Sequence, residues 1–266
     1  MNITVAIKQV PSTETKTRID TKTGYVDTSE VEWVINPYDE YAIELALLTR
    51  EKHGGTVTAV TLGPERARQA LKTALSMGLD EAVHVMDPSL EEGLPLSPLD
   101  YLSRGRVLAA AIARGKPDLV LCGKQAVDDD AAMVPQAIAR FLDVPHVAIV
   151  PEFEVAAGGG EVTAYREVEG ATEVFRAKLP CLLTIQKGKH EPRYPTLRLM
   201  MAAKRKDIPV LSLGDLGIDP ATLSHGQQLL GDRLPPGRKP GRVLQGEPSE
   251  LAPELARLLR AEAKVI

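Results

Sequence analysis

Short apolar segments alternate with segments of helical periodicity from the N-terminus to about residue 150, and few folds accept such an alternation. Residues 3–10 carry Ile, Val and Ala closely spaced and stop at Pro11, which predicts a first strand. Asn36 and Pro37 then supply a capping residue and a proline suited to the first helical position, ahead of Tyr41, Ala42, Leu45, Ala46 and Leu48; Gly54 and Gly55 end that helix. The theme repeats as a strand at residues 57–62, a helix at 65–77 closed by Gly78, and a strand at 82–86. After a proline-rich loop at 88–98 come a helix at 99–113, a strand at 118–122 and a helix at 131–142. The strand at 118–122 is apolar enough to be buried on both faces, as central parallel strands are. The chain is therefore read as an α/β protein with a doubly wound, mostly parallel sheet.

Two stretches break the alternation. Residues 18–35 place apolar points around Thr23 and Gly24, which predicts a hairpin excursion before the first helix. After Pro151, residues 153–155, 162–167 and 172–178 alternate around Gly158, Gly159, Gly160 and Gly170, predicting a small antiparallel addition, and residues 182–185 read as one more buried strand. From residue 213 the chain is rich in Gly and Pro, and only 249–263 regain helical spacing. A long arm with few local partners packs on something else. The expected organisation is an α/β domain over residues 1–212 and a C-terminal arm and helix over 213–266 that lie on a second subunit.

Composition narrows the function classes. The 266 residues are 44% hydrophobic and only 4% aromatic, with Trp33 the one tryptophan, so the core is aliphatic. No apolar run is long enough to cross a bilayer, and direct membrane insertion is not expected. A formal charge of -4 gives no global attraction to nucleic acid. The first ten residues lack a charged leader and a cleavage site, so the expected location is cytoplasmic. Cys122 and Cys181 stand alone without a CxxC or matched histidines, so neither a metal site nor a disulfide framework is expected. His53, His84, His146, His190 and His225 are dispersed, and no GxSxG, HExxH, GxGxxG or GxxxxGK[ST] occurs. No catalytic residue is assigned, and a binding role is left.

The most informative stretch is LVLCGKQAVDDDAAMV at residues 119–134, where a buried strand ends in Gly123 and leads through a polar turn to a helix. Ligands of doubly wound sheets bind at such carboxyl ends, and the N–H groups of a following helix start suit phosphate. Asp128, Asp129 and Asp130 pull two ways: they are good capping acceptors, but three negative charges repel a phosphate. A second stretch, residues 179–208, runs from an apolar strand into a segment rich in Pro, Arg and Tyr, then into helical composition from Thr196 to Lys206. Its Lys204, Arg205 and Lys206 suit a helix C-terminus, while Leu197 and Leu199 beside Tyr194 would make an apolar anchor in a cationic rim.

These stretches, with VAIKQV at the opening strand, NPYDEYAIELA at 36–46, VTLGP at 60–64 and the segment 165–206, resemble the electron-transfer flavoprotein beta family over nearly the whole chain. The resemblance implies an adenine-nucleotide-binding fold that holds AMP, beside an alpha subunit that holds most of the redox FAD. It implies no enzyme but an electron-transfer subunit, docking acyl-CoA and related dehydrogenases of fatty acid beta-oxidation and passing electrons to a quinone oxidoreductase. AMP contacts carried over by motif are Ala6, Asn36, Pro37, Tyr38, Asp39, Leu62, Gly123, Lys124, Gln125, Ala126, Val127, Asp128, Asp129, Asp130, Ala131, Ala132, Met133 and Val134. The docking loop corresponds to Glu191, Pro192, Arg193, Tyr194, Pro195, Thr196, Leu197, Arg198 and Leu199, with Leu197 as the inserting leucine, and Glu167 matches a contact to the mobile flavin domain. Thr13 and Ala202 depart from an aromatic and a lysine that some members carry there. Two further readings stand beside this one: a bifurcating-type subunit with a second FAD in place of AMP, and a universal-stress-type ATP-binding regulator.

Overall fold

The computed structural model describes residues 1–86, 99–223, 226, 230–237 and 240–266. The proline-rich loop expected at 88–98, His225 and parts of the expected arm lie outside the described residues. By internal contacts the chain divides into two compact units, Met1–Asp232 and Arg233–Ile266.

The first unit begins with β1 (Asn2–Ala6), β2 (Gln9–Pro11), β3 (Trp33–Ile35), α1 (Pro37–His53) and β4 (Thr56–Leu62). It continues through α2 (Arg68–Met77), β5 (Glu81–Val85), α3 (Tyr101–Arg114), β6 (Leu119–Gly123), α4 (Val134–Leu142) and β7 (His146–Val150). An antiparallel excursion of β8 (Glu152–Val155), β9 (Glu161–Val168) and β10 (Ala171–Lys178) precedes β11 (Cys181–Ile185), α5 (Leu197–Arg205) and β12 (Val210–Leu211). The second unit carries α6 (Pro248–Leu258), none of whose residues is buried.

The central sheet has seven strands in the order β12-β5-β4-β1-β6-β11-β7, every neighbouring pair parallel. Its burial explains why the strands are apolar on both sides. In β1, Ile3 and Val5 join one hydrophobic cluster with residues of α1 and α2, while Ala6 joins the other with residues of α3 and α4. Leu119 and Leu121 of β6 likewise point to the first cluster, and Val120 and Cys122 to the second. Side chains of a strand alternate between faces, so a sheet covered by helices on both sides needs an unbroken apolar run. The doubly wound fold read from the sequence is the fold observed.

Three local readings are corrected by the structure. The expected first strand at 3–10 is two: β1 ends at Ala6, and β2 turns away to pair antiparallel with β3 in a separate two-stranded sheet. The helix expected from residue 131 starts at Val134, because Asp130 and Ala132 adopt left-handed backbone, with φ of 49° and 51°. Residues 213–232 count with the first unit, where Leu213, Ile218 and Leu223 are buried in the second hydrophobic cluster.

Candidate functional site

β1, β4 and β5 are laid down in one direction from the sheet centre, and β6 lies on the other side of β1. The carboxyl ends of β1 and β6 therefore flank the point where the winding reverses, which is where open α/β sheets hold ligands. A cleft of about 820 Å³, its mouth included, opens there.

One wall of the cleft is apolar, made by Ala6, Leu62, Leu108, Cys122, Val134 and Ile138. Its rim is charged, with Lys8 from the end of β1 and Arg104 from α3 facing Asp129. Lys8 Nζ donates to Asp128 at 2.7 Å and to Asp129 at 3.1 Å, and Arg104 Nη1 stands 3.9 Å from the same Asp129 carboxylate. The third aspartate, Asp130, accepts from Gln125 Nε2 at 2.6 Å. None of the three caps α4, whose N-cap is Met133 with no side-chain hydrogen bond. The capping role read from the local pattern is thus replaced by ion pairing with a cation some 120 residues earlier in the chain.

Beneath the rim, Asp39 organises the floor. It accepts from the backbone N–H of Lys8 at 2.7 Å, from Asn36 Nδ2 at 3.0 Å and from the backbone N–H of Gly123 at 3.0 Å. Burial pushes its carboxyl up to about 7, and the three donors only partly counter that. Asn36 also donates to the Gln125 carbonyl at 2.9 Å and accepts from the Val127 N–H at 3.2 Å. Its side chain therefore stitches the β6–α4 turn to α1 and does not cap α1. Gly123 is required for the same reason: a Cβ there would overlap Asp39 Oδ1 and press on Tyr38. The glycine lets the start of α1 approach β6.

Of the residues expected to hold a nucleotide, Ala6, Asn36, Asp39, Leu62, Gly123, Gln125, Ala126, Asp129, Ala131, Ala132, Met133 and Val134 line the cleft. Pro37, Tyr38, Lys124, Val127, Asp128 and Asp130 do not line it; Lys124 sits 5.2 Å over the Tyr38 ring. The lining also includes Ile7, Lys8, Tyr101, Arg104, Leu108, Cys122, Pro135 and Ile138, which sequence reasoning missed. Lys8 was legible in principle, as the cation that follows the first strand of a doubly wound sheet. Tyr101 and Arg104 were not, since helix packing alone brings the first turn of α3 to this cleft.

The chemistry available is that of binding. The Cys122 thiol in the cleft wall is held protonated by burial and by nearby Asp39, so it is a small apolar surface and no nucleophile. His84 is buried with Nε2 on the Gly63 carbonyl at 2.9 Å, and desolvation favours its neutral form. No cluster able to hold a metal ion occurs among the described residues, and no helix there is long and apolar enough to cross a membrane. What the site offers is an apolar slot ending in two cations and a loop in which left-handed Ala132 precedes right-handed Met133. Successive N–H groups in such backbone can face a single anion. Ala132 has no amide or carboxylate to ease that conformation, and strain of this kind gathers at ligand sites.

The other expected surface stands apart from the cleft. Residues 186–196 have no regular structure, and Thr196 caps α5 by accepting from the Leu199 N–H at 3.3 Å. Tyr194 is 91% exposed and Leu197 76% exposed, whereas Arg193 is turned inward onto α1. Lys206 donates to the carbonyls of Leu79 and Asp80 at 2.8 and 2.6 Å, which ties the end of α5 beneath α2. Glu167 is exposed on β9, opposite Thr172 of β10.

A family model described as the electron transfer flavoprotein domain matches residues 23–216. The chain is 42% identical, over the full length of both, to the electron transfer flavoprotein subunit beta of Bacillus subtilis (strain 168). It is 38% identical to the subunit of that name from Bos taurus, over 89% of this chain and 90% of the relative. With the Homo sapiens subunit the identity is 37% over 91% of each.

Proposed function

The chain belongs to the electron transfer flavoprotein family as a beta subunit, and on that premise we propose that it holds AMP in the cleft between β1 and β6 and docks electron donors through residues 191–199. It is one subunit of an electron carrier, with an alpha subunit as its partner. In this reading FAD, held mainly by the alpha subunit, supplies the redox chemistry when bound. The present chain supplies a rigid support, a nucleotide site and a docking surface.

The observation that carries the nucleotide assignment is the make-up of the cleft, an apolar lining with Lys8 and Arg104 gathered at the Asp129 carboxylate. An adenine ring fits between Leu62, Leu108 and Ile138, and a single phosphate has Lys8, Arg104 and the backbone of residues 131–133 within the same lining. Asp128 and Asp129 already pair with Lys8, so a phosphate there competes with two carboxylates for that cation, which favours a ligand of small charge. Extraction of the purified heterodimer should release one AMP and one flavin. Two flavins without AMP would overturn the AMP assignment in favour of the bifurcating type.

The donors proposed are acyl-CoA and related dehydrogenases of fatty acid beta-oxidation, and the acceptor a quinone oxidoreductase. Leu197 supports the donor assignment: an exposed apolar side chain at the first turn of a helix, beside exposed Tyr194, is the form of a docking anchor. Leu197→Ala should slow electron transfer from the dehydrogenase by weakening the complex, with flavin content intact; unchanged kinetics would refute it. Glu167 is the proposed contact to the flavin-bearing domain. The outer part of the arm, Arg233–Ile266, is proposed to lie on the alpha subunit. Two buried free thiols, Cys122 and Cys181, suit a reducing, cytoplasmic setting.

A further inference from the structure

The loop at 186–196 contains a contradiction in its own terms. It has no helix or strand of its own, yet it presents Tyr194 to solvent and leads at one defined place into exposed Leu197, the first residue of α5. The structure supplies the hold from below. Glu44 of α1 is buried at 6% exposure, and Arg193 satisfies it three times over. Its backbone N–H donates to Oε2 at 3.0 Å, Nε donates to Oε2 at 2.8 Å, and Nη2 donates to Oε1 at 2.9 Å. Arg193 Nη1 reaches on to Glu51 at 2.6 Å. Two residues earlier, Glu191 accepts from Tyr41 Oη at 3.0 Å and pairs with Lys187 at 3.0 Å. Tyr41, Glu44 and Glu51 are spaced to share one face of α1, so a single helix face fixes the loop at two points.

A buried carboxylate left without its partner is strongly unfavourable, so Glu44 makes detachment of the loop costly. Arginine suits the task because its planar fork meets both carboxylate oxygens, which lysine cannot do. A loop held in its bound form loses less freedom on association, which favours docking without adding a contact to the partner.

We propose that Arg193 is a positioning residue: its fork onto Glu44 and Glu51 fixes the loop so that Tyr194 and Leu197 meet the electron donor already in place, while Arg193 itself touches no donor. This rests on the docking reading given above and sorts the nine residues of that segment into an inward anchor and an outward contact surface.

The test uses the intact heterodimer, a purified acyl-CoA dehydrogenase and its acyl-CoA substrate, with Leu197→Ala as the reference variant. Arg193→Gln and Glu44→Gln should each raise the KM for the flavoprotein by roughly tenfold and leave kcat within about twofold, because the loss is one of preorganisation. Flavin content should not change, and cleavage by added protease at residues 187–196 should quicken. The double variant should be no worse than Arg193→Gln alone, since that substitution already removes the contact that Glu44→Gln breaks. Arg193→Lys should fail to restore the KM. Unchanged KM in Arg193→Gln and Glu44→Gln, with a raised KM in Leu197→Ala, would overturn the positioning role and leave the docking reading intact. If Leu197→Ala also has no effect, the docking reading falls and the positioning role falls with it. Should the substituted subunits fail to assemble, hydrogen exchange of the unsubstituted heterodimer decides: a slowed Arg193 amide supports the anchor, and exchange at free-peptide rates overturns it.

Discussion

Asp39 concentrates the chemistry of the cleft in one side chain. Burial raises its carboxyl from an ordinary 3.8 to about 7, against the pull of three N–H donors. The folded chain thus keeps a proton that the unfolded chain releases at lower pH, so stability contributed at this position falls as pH rises from about 4 to about 7 and is constant above. Asp39→Asn removes that dependence: in urea denaturation, the parent should gain stability relative to the substituted chain as pH drops through this window. A gap independent of pH would refute the shift. The sequence put Asn36 and Asp39 at a helix start, where they stand, whereas the three aspartates it put at another lie in the turn ahead of α4, which begins at Val134. What those side chains bind was not legible, because Asn36 meets Gln125 and Val127, and Asp128 meets Lys8, across distances in sequence that periodicity does not encode.

At the scale of elements, α3 and α4 form two sides of the cleft, one through Tyr101, Arg104 and Leu108 and the other through Val134 and Ile138. Their approach depends on Gly105, where a Cβ would overlap that of Ala137. Gly105→Ala gains up to about 1 kcal/mol of helix propensity but forces overpacking that costs roughly 1–3 kcal/mol, so the net effect should be destabilising. It should also weaken the proposed binding of AMP by spreading the walls. Thermal denaturation and calorimetric titration of nucleotide-stripped protein would check both, and a stabilised variant with unchanged binding would show that the helices have room. The order of strands and helices was readable because burial on both faces demands apolar runs and helices demand a period near 3.6. The position of β11 was not. Its five residues are buried throughout, which marks a central strand, yet nothing local says that it inserts between β6 and the earlier β7.

For the molecule as a whole, Met1–Asp232 holds both hydrophobic clusters, while Arg233–Ile266 exposes Val243, Leu255, Val265 and Ile266 and buries no residue of α6. A segment that keeps its apolar side chains in water is stabilised by something outside itself. Limited proteolysis should cut residues 233–266 readily in the isolated subunit and slowly in the heterodimer, and removal of that segment should leave the melting temperature of the isolated subunit nearly unchanged. Equal cutting in both states would sink the assignment to the alpha subunit. Within the first unit, α1 carries Asn36 and Asp39 at its start, on the cleft, and Tyr41, Glu44 and Glu51 further along, under the exposed loop. Each residue added to a helix turns everything beyond it by about 100° and advances it by about 1.5 Å. A one-residue insertion between Asp39 and Tyr41 would swing the second set off its face while the first stayed seated. This stretch of the chain is therefore fixed in length as well as in composition: the cleft and the exposed loop are kept in step by the count of residues along α1.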